Sequence, residues 1–237
     1  MKYQKAGSGS SSRDSSGKSG KGVSQGKTGA PGRGSGTVRI ISGRFRGRRL
    51  PVLDSEGLRP TTDRVRETVF NWLMFRVAGS SCLDMFAGSG GLGFEAWSRG
   101  ARRSVLLEKN HQVFQNLKRN AGLLADRDSA GEPEVIEGDA LSWGRSYHGE
   151  PFDIVFLDPP FRKGMLEEAL ALLPGLVRPD GFVYVEQESE AAIALPGFLR
   201  PYREGRAGQV VYRLFQMAAE DPEKEPAKDL TKGEEIR

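Results

Sequence analysis

The chain has 237 residues, a formal net charge of +4 and a single cysteine, Cys82. This length suits one α/β domain with flexible ends, and one cysteine excludes an internal disulfide. The N-terminus has no apolar signal-like core, and no later run approaches the roughly 20 apolar residues of a membrane span. We therefore expect a cytoplasmic protein without a membrane span, in which Cys82 packs in the core.

The two ends of the chain differ in composition from its middle. Residues 1–36 hold ten Gly, nine Ser and seven Lys or Arg against one acid, which predicts a disordered basic tail. Plain solvation of this tail is favoured over RNA binding, since a few charges on a flexible chain attract RNA only weakly at cellular salt. Residues 218–237 predict a flexible acidic tail. Between the tails we expect an extension over residues 37–78 and a larger core over 79–217.

The extension begins with a basic segment. Residues 38–41 and 48–52 predict the two strands of a small hairpin. Residues 38–66 contain eight Arg and three acids, whereas the chain between the two tails is nearly neutral as a whole. Arginine suits phosphate contacts, and an aromatic ring among arginines suits base stacking. The nucleic-acid-binding candidates are Arg44, Phe45, Arg46, Arg48 and Arg49.

The remaining elements follow an alternating pattern. Thr61 and Thr62 predict the N-cap of a helix over about 63–75. Strands are predicted near 81–86, 104–108, 134–137, 153–157, 181–187, 198–203 and 209–216, and helices near 91–99, 111–124 and 163–174. The fold class is therefore α/β, with a mostly parallel seven-stranded sheet covered on both faces. A turn at residues 205–208 predicts an antiparallel hairpin at the end of this sheet.

A glycine-rich turn follows the first strand of the sheet. Gly88, Gly90 and Gly93 match the G-x-G-x-x-G spacing that binds dinucleotides, so a dehydrogenase is one interpretation. Such a turn lets the backbone approach a ligand, and the following helix presents free N–H groups. Glu108, 20 residues beyond Gly88, is the candidate for the ribose hydroxyls. The other candidates for cofactor binding in the turn are Phe86, Ala87 and Ser89.

Two acids favour a methyl donor over a dinucleotide. Asp84, at the end of the first strand, would repel a pyrophosphate but attract the ammonium group of S-adenosylmethionine. Asp139, after the third strand, would accept a hydrogen bond from the adenine amine. Both residues are therefore candidates for binding this cofactor.

The loop Asp158-Pro159-Pro160-Phe161 follows the fourth strand and supplies the catalytic candidates. An exocyclic base amine is a poor nucleophile because its lone pair is delocalised, so an enzyme must orient it. Asp158 and the Pro159 carbonyl can accept its two N–H groups, Pro160 stiffens the loop, and Phe161 can stack on the base. The loop alone fits guanine N2, adenine N6 and cytosine N4 equally. The sequence has no metal-ligand spacing, and we assign no chemistry to its two histidines.

From Val38 to about Gln216 the chain resembles the bacterial RsmD family of ribosomal RNA guanine N2-methyltransferases. The segments that carry the resemblance are RIISG at 39–43, GR at 47–48, LRPTTDRVRETVFNWL at 58–73, LDMFAGSG at 83–90, DPPF at 158–161 and AGQVVYRL at 207–214. The tails at both ends lie outside it.

The resemblance implies a Rossmann-like class I methyltransferase fold, S-adenosylmethionine as the methyl donor, and one guanine of 16S ribosomal RNA in the assembled small subunit as the substrate. It also implies that Thr61 and Arg64 lie beside the cofactor and that the basic hairpin contacts RNA. We further expect a monomer without a metal ion. Two alternatives stay open: an amino-methyltransferase of DNA or RNA with another specificity, and a binding module that does no chemistry.

Overall fold

The computed structural model describes residues 36–53, 62–125, 131–160, 164–188 and 195–219. Its strands are β1 (Gly36–Arg39), β2 (Arg49–Val52), β3 (Ser81–Asp84), β4 (Arg103–Glu108), β5 (Glu134–Glu137), β6 (Phe152–Leu157), β7 (Val177–Glu188), β8 (Leu199–Ala207) and β9 (Val210–Met217). Its helices are α1 (Asp63–Trp72), α2 (Gly91–Ser98), α3 (His111–Leu123), α4 (Ala140–Ser146) and α5 (Met165–Leu176). Tails were predicted over residues 1–36 and 218–237. Apart from residues 36, 218 and 219, both lie outside the described residues.

Seven strands form one sheet in the order β5-β4-β3-β6-β7-β9-β8. The strands β3 to β7 pair in parallel, and β9 pairs antiparallel with both β7 and β8. The predicted α/β class, the seven-stranded sheet and its antiparallel end are confirmed. The central strands β3 and β6 are buried over almost their whole length because helices cover both faces of the sheet.

Alternation along each strand sends side chains to two core layers. Leu83, Val155 and Leu157 pack against α4 and α5 on one face. Cys82 and Phe156 pack on the opposite face, which α1 and α2 cover. The predicted core position of Cys82 is confirmed, and burial raises the pKa of its thiol to about 12.

Local capping fixes where the helices begin. The Thr62 hydroxyl accepts a hydrogen bond from the Val65 N–H at 3.4 Å, which confirms the predicted cap, whereas Thr61 lies outside the described residues. Helix α1 ends at Trp72, three residues before the predicted end at 75. The short helix α4 was missed because its seven residues carry little apolar periodicity.

Strand β8 is longer than predicted, whereas β9 has the predicted length and is shifted by one residue. β8 continues to Ala207, and the turn into β9 falls at Gly208, where φ is +61°. This left-handed backbone conformation suits glycine and marks the reversal of the chain. Within the described ranges, no helix is long and apolar enough to cross a membrane.

The strands β1 and β2 form a separate antiparallel hairpin, as predicted, which packs along α2 and α3. The fully buried carboxylate of Glu95 accepts the N–H groups of Ile41 and Ser42 at 2.8 and 3.0 Å. The hairpin turn meets the end of α2, where a Cβ added to Gly43 would lie 2.0 Å from the Ser98 carbonyl oxygen. Glycine is therefore required at this close approach.

A buried arginine joins the hairpin to the start of α2. The Arg66 side chain is fully buried and donates to the carbonyl of Arg39 at 2.8 Å and to that of Gly91 at 3.3 Å. It also forms ion pairs with Asp63 at 2.6 Å and with Glu95 at 3.9 Å. The hairpin is thus held in place by a charged network as well as by apolar contacts.

Candidate active site

The carboxyl ends of the central parallel strands place the predicted site residues at one edge of the sheet. Asp84 closes β3 and pairs with Leu106 on one side and Phe156 on the other. Two residues further along the neighbouring strands come Glu108 and Asp158. Because side chains alternate along a strand, these three carboxylates belong to the same face of the sheet. The structure therefore brings Asp84, Glu108 and Asp158 to one edge of the sheet.

The glycine-rich turn runs from the end of β3 to the start of α2. Gly90 has a φ of +77°, and an added Cβ would lie 2.4 Å from the Phe94 ring. A Cβ on Gly93 would lie 2.6 Å from the Leu106 side chain, so this glycine allows α2 to pack closely on β4. The Ala87 N–H donates to the Leu107 carbonyl at 3.0 Å, which fixes the turn against β4. The Gly90 N–H donates to the Ala87 carbonyl at 2.7 Å, so hydrogen bonds within the chain hold the turn in a tight form.

Glu108 ties the same turn to the end of β4. Its Oε2 accepts the Gly88 N–H at 3.1 Å, and its Oε1 accepts the Asn110 N–H at 2.7 Å. The carboxylate therefore lies beside the turn, where a ribose-binding acid is expected. The contact with ribose stays a prediction.

Asp84 is almost fully buried rather than open to the edge. Its Oδ2 accepts the Gly93 N–H at 2.9 Å in the first turn of α2. Burial raises the pKa of this carboxyl to about 7, against the opposing effect of the Gly93 hydrogen bond. Near neutral pH the residue is thus poised between its two protonation states, and its attraction for an ammonium group stays a prediction.

Asp139 caps helix α4. Its Oδ1 accepts the Ser142 N–H at 3.0 Å, and its Oδ2 pairs with the Lys109 ammonium at 3.0 Å. The Ser142 and Lys109 contacts lower the pKa of Asp139 to about 2. The residue lies after β5 as predicted, but both carboxylate oxygens already have partners within the chain. Its contact with adenine stays a prediction.

The catalytic loop begins directly after β6. Asp158 is half-buried, Pro159 is buried and Pro160 is exposed, while Phe161 lies outside the described residues. Burial is the main cause of the raised pKa of the Tyr184 hydroxyl, and the negative charge of Asp158 raises this pKa further. Asp158 therefore lies near β7, a strand to which the sequence had assigned no chemistry.

Two polar residues on β7 were missed. Tyr184 donates its hydroxyl proton to Oε2 of Glu186 at 2.8 Å, and both side chains are buried. The signal in the sequence was a tyrosine and a glutamate two residues apart, where the apolar run 182–185 ends. That spacing puts both on one face of the sheet.

The hairpin arginines lie at a different place from the catalytic loop. Arg44 donates to the Trp97 carbonyl at 3.2 Å, and Arg48 donates to the Leu123 carbonyl. These carbonyls belong to the C-terminal turns of α2 and α3, which begin at the edge that holds the glycine-rich turn. Positive charge at a helix C-terminus is favourable. Both arginines thus have partners in the fold, and their contact with phosphate stays a prediction.

Phe45 is half-buried between these two arginines. The guanidinium carbons of Arg44 and Arg48 lie 5.6 and 5.2 Å from its ring centroid. Stacking on a base is a prediction that must compete with these contacts. The exposed Arg46 lines a cleft of about 350 Å³ between the hairpin, α1 and the end of α2, and Arg49 is exposed on β2.

The other predicted residues take the following positions. Arg64 is exposed on the first turn of α1, and its contact with the cofactor stays a prediction. His111 begins α3 and pairs with Glu137 at 2.8 Å. Across the part of the chain that the structure describes, no group of three His, Cys, Asp or Glu residues is arranged to hold a metal ion.

The strand order β5-β4-β3-β6-β7-β9-β8, with a glycine-rich turn after β3 and an Asp-Pro-Pro loop after β6, is that of a class I methyltransferase. A family model described as Conserved hypothetical protein 95 matches residues 38–216. The Ribosomal RNA small subunit methyltransferase D of Escherichia coli K12 is 48% identical over 190 residues, which cover 79% of this chain and 93% of that protein. The chain therefore belongs to this family, known as the RsmD family, and is a methyltransferase.

Solved structures agree with this membership. The structure of yhhF from Escherichia coli has a TM-score of 0.70 and is 46% identical in sequence. The match covers 78% of this chain and 99% of the yhhF chain. An RNA methyltransferase from Salinibacter ruber in complex with S-adenosyl-L-homocysteine has a TM-score of 0.51 and 18% identity, covering 70% and 97%. The second likeness concerns the fold alone.

Proposed function

We propose that this protein transfers a methyl group from S-adenosylmethionine to the N2 amine of a guanine in 16S ribosomal RNA. The observation that carries the proposal is the juxtaposition of the glycine-rich turn and the Asp158 loop. These two segments follow β3 and β6, which are hydrogen-bonded neighbours in the sheet. A cofactor held by the first segment lies next to a base amine held by the second.

The residues around the glycine-rich turn fit S-adenosylmethionine. The turn from Phe86 to Gly90 lets the backbone approach the cofactor closely, and the left-handed Gly90 (φ +77°) allows the chain to reverse there against the Phe94 ring. Glu108 suits the ribose hydroxyls, Asp84 the ammonium group, and Asp139 with Thr61 and Arg64 the remaining surface of the cofactor. When bound, the cofactor supplies an electrophilic methyl group on its sulfonium sulfur.

The Asp158 loop orients the nucleophile. The carboxylate and the Pro159 carbonyl accept the two N–H groups of the base amine, which turns the nitrogen lone pair away from them and towards the methyl group. After transfer the nitrogen carries a positive charge and loses one proton, for which Asp158 is a nearby acceptor. Pro160 limits the movement of the loop, and Phe161 is assigned to stacking on the base.

The substrate assignment rests on the named relatives and on the size of the chain. A relative that matches 79% of this chain is a methyltransferase of small-subunit ribosomal RNA. We infer that the assembled small subunit supplies much of the specificity through its shape, since the described core leaves little room for a separate reading domain. The exposed arginines Arg46 and Arg49 are assigned to phosphate contacts, in a monomer that acts in the cytoplasm.

The first experiment compares three substrates with labelled S-adenosylmethionine: unmethylated small subunits, naked 16S RNA and duplex DNA. We expect label in N2-methylguanosine from the ribosomal samples, identified by digestion and nucleoside mass analysis. Asp158→Ala is the matched control and should lose at least tenfold in rate, equivalent to about 1.4 kcal/mol, while it still binds the cofactor. Label in methylated DNA bases alone would contradict the substrate, and no label despite cofactor binding would favour a binding module.

A further inference from the structure

The side chains of Tyr184 and Glu186 form a buried polar pair on the face of the sheet that also carries Asp84. Tyr184 is fully buried and Glu186 is 8% exposed. The tyrosine hydroxyl donates to the carboxylate at 2.8 Å. A buried carboxylate is costly unless it is hydrogen-bonded, so this contact both stabilises the carboxylate and fixes its direction. Neither residue takes part in the chemistry assigned above.

The register of the strands brings Glu186 next to the catalytic loop. Leu157 pairs with Val185 at the end of β6, and Asp158 and Glu186 are the residues that directly follow this pair. The hydroxyl of Tyr184 feels both charges, since Glu186 and Asp158 each add to the effect of burial in raising its pKa. The two carboxylates therefore face the same small region at the carboxyl edge of the sheet.

Two neighbouring carboxylates fit a ligand that offers two neighbouring hydrogen-bond donors. Carboxylates on neighbouring strands repel each other unless hydrogen-bond donors lie against them. Adjacent strands are about 4.8 Å apart, a spacing from which two carboxylates can converge on one base. Among the bases with an exocyclic amine, guanine carries a hydrogen on N1 beside its N2 amine. Adenine and cytosine carry a lone pair on the ring nitrogen beside the amine.

We propose that Glu186 accepts the N1–H of the target guanine while Asp158 orients its N2 amine, so that Glu186 selects guanine over the other amino bases. Tyr184 is then a positioning residue that holds the Glu186 carboxylate. The inference rests on the proposed function, because it takes a base amine at Asp158 as the substrate. It adds a physical reason for the choice of base, which the Asp-Pro-Pro loop alone does not supply.

A base analogue without the N1 hydrogen, compared between wild type and variants, tests this contact. 2-Aminopurine keeps the amine at position 2, lacks O6, and carries a lone pair on N1, which a carboxylate repels. We would place guanine or 2-aminopurine at the methylated position of 16S RNA by ligation, reconstitute small subunits, and measure kcat/KM for each. Wild-type protein should prefer guanine by at least tenfold, the size expected for one hydrogen bond to a charged group.

Glu186→Gln is the main variant because the amide has the same shape and can present either its oxygen or its N–H group. It should reduce the ratio of kcat/KM for guanine over 2-aminopurine by about tenfold or more. Tyr184→Phe should reduce the same ratio by a smaller factor, of about threefold, because the carboxylate loses its fixed direction. A purely structural contribution of either residue would lower both rates together and leave the ratio unchanged.

Glu188→Gln is the matched control, since it removes the same charge two residues further along β7. It should keep the wild-type ratio, and cofactor binding should be equal in all variants. An unchanged ratio in both Glu186→Gln and Tyr184→Phe, with guanine still methylated by the wild-type protein, overturns the inference and leaves the proposed function standing. Failure of the wild-type protein to methylate guanine in any ribosomal sample would instead contradict the proposed function.

Discussion

The buried carboxylates of Glu95 and Asp84 lie in neighbouring parts of the molecule but have different surroundings. Glu95 accepts two backbone N–H groups from the hairpin and pairs with Arg99 at 2.7 Å and with Arg66 at 3.9 Å. Asp84 accepts the N–H groups of Gly93 and Phe86, and the charge of nearby Glu108 adds to burial in raising its pKa to about 7. A charge that is paired with arginines serves stability, whereas a carboxyl near its titration point at a cofactor turn can respond to a ligand.

Glu95→Ala gives the largest expected effect. The substitution would leave Arg66 buried without this carboxylate, and breaking a buried ion pair costs about 3–5 kcal/mol of unfolding free energy. Urea unfolding followed by circular dichroism would measure the loss. Glu67→Ala, which removes an exposed acid from α1, is the control and should change stability by no more than about 0.5 kcal/mol. A loss below 1 kcal/mol for Glu95→Ala would show that the contacts of Glu95 add little to the attachment of the hairpin.

Asp84→Asn tests the other carboxyl through pH. The folded state raises the pKa of Asp84 from 3.8 to about 7, so between these values the folded protein binds more protons than the unfolded chain. The contribution of Asp84 to stability is therefore greatest below pH 3.8 and is lost as the pH rises towards 7. The asparagine keeps the oxygen that accepts the Gly93 N–H and has no such loss. From about 1.4 kcal/mol per pKa unit, the variant should gain up to about 4 kcal/mol relative to wild type across this window.

Chemical unfolding at several pH values between 4.5 and 8 would measure that difference. Asp180 lies in the N-terminal part of β7, away from the carboxyl ends of the strands where the glycine-rich turn lies. Asp180→Asn therefore provides a reference for the change of an aspartate to an amide. Parallel stability curves for Asp84→Asn and wild type would show that Asp84 is ionised over this whole pH range. Its negative charge would then be compensated as well as that of Glu95.

Glu108→Ala should act on the cofactor with a smaller effect. Loss of a charged hydrogen-bond acceptor for the ribose corresponds to about 1.5–3 kcal/mol, or roughly tenfold to a hundredfold weaker binding of S-adenosylmethionine by calorimetry. RNA affinity should stay unchanged. Glu137→Ala removes an exposed acid from the end of the next strand and should leave cofactor affinity within about twofold. Equal cofactor affinity in Glu108→Ala and wild type would remove the ribose assignment.

The smallest effects are expected for paired substitutions in the hairpin. Arg46→Gln with Arg49→Gln should lower the salt dependence of RNA binding by nearly one unit of slope for each lost phosphate contact. Arg44→Gln with Arg48→Gln should instead lower stability by about 1 kcal/mol, because those side chains contact the ends of α2 and α3. Equal salt slopes for the two double variants would show that the exposed and the partnered arginines do not differ in binding RNA.

The order of elements could be predicted from the sequence because it depends on local periodicity. Apolar runs such as 153–157 and amphipathic stretches such as 111–124 indicate strands and helices directly. The glycine-rich turn and the Asp-Pro-Pro loop could be placed at one edge because parallel strands end on the same side. Helix α4 was missed because its seven residues show no clear apolar period.

Long-range charge pairing could not be predicted. Arg44 and Arg48 were assigned to phosphate, but their contacts with helix ends depend on residues about 50 to 75 positions away in the chain. Glu95 gave no signal of its attachment to the hairpin. Glu186 directly follows the apolar run 182–185, and its position beside Asp158 depends on strand order and register.

The hairpin of β1 and β2 also completes the apolar layer over α2 and α3. Val38, Ile40 and Leu50 share one buried cluster with Phe94 and Trp97 of α2. A shortened protein that began at residue 79 would keep every strand of the large sheet but would expose this cluster to water. Such an apolar patch favours self-association, so solubility of the catalytic part depends on a segment that contributes no strand to its sheet.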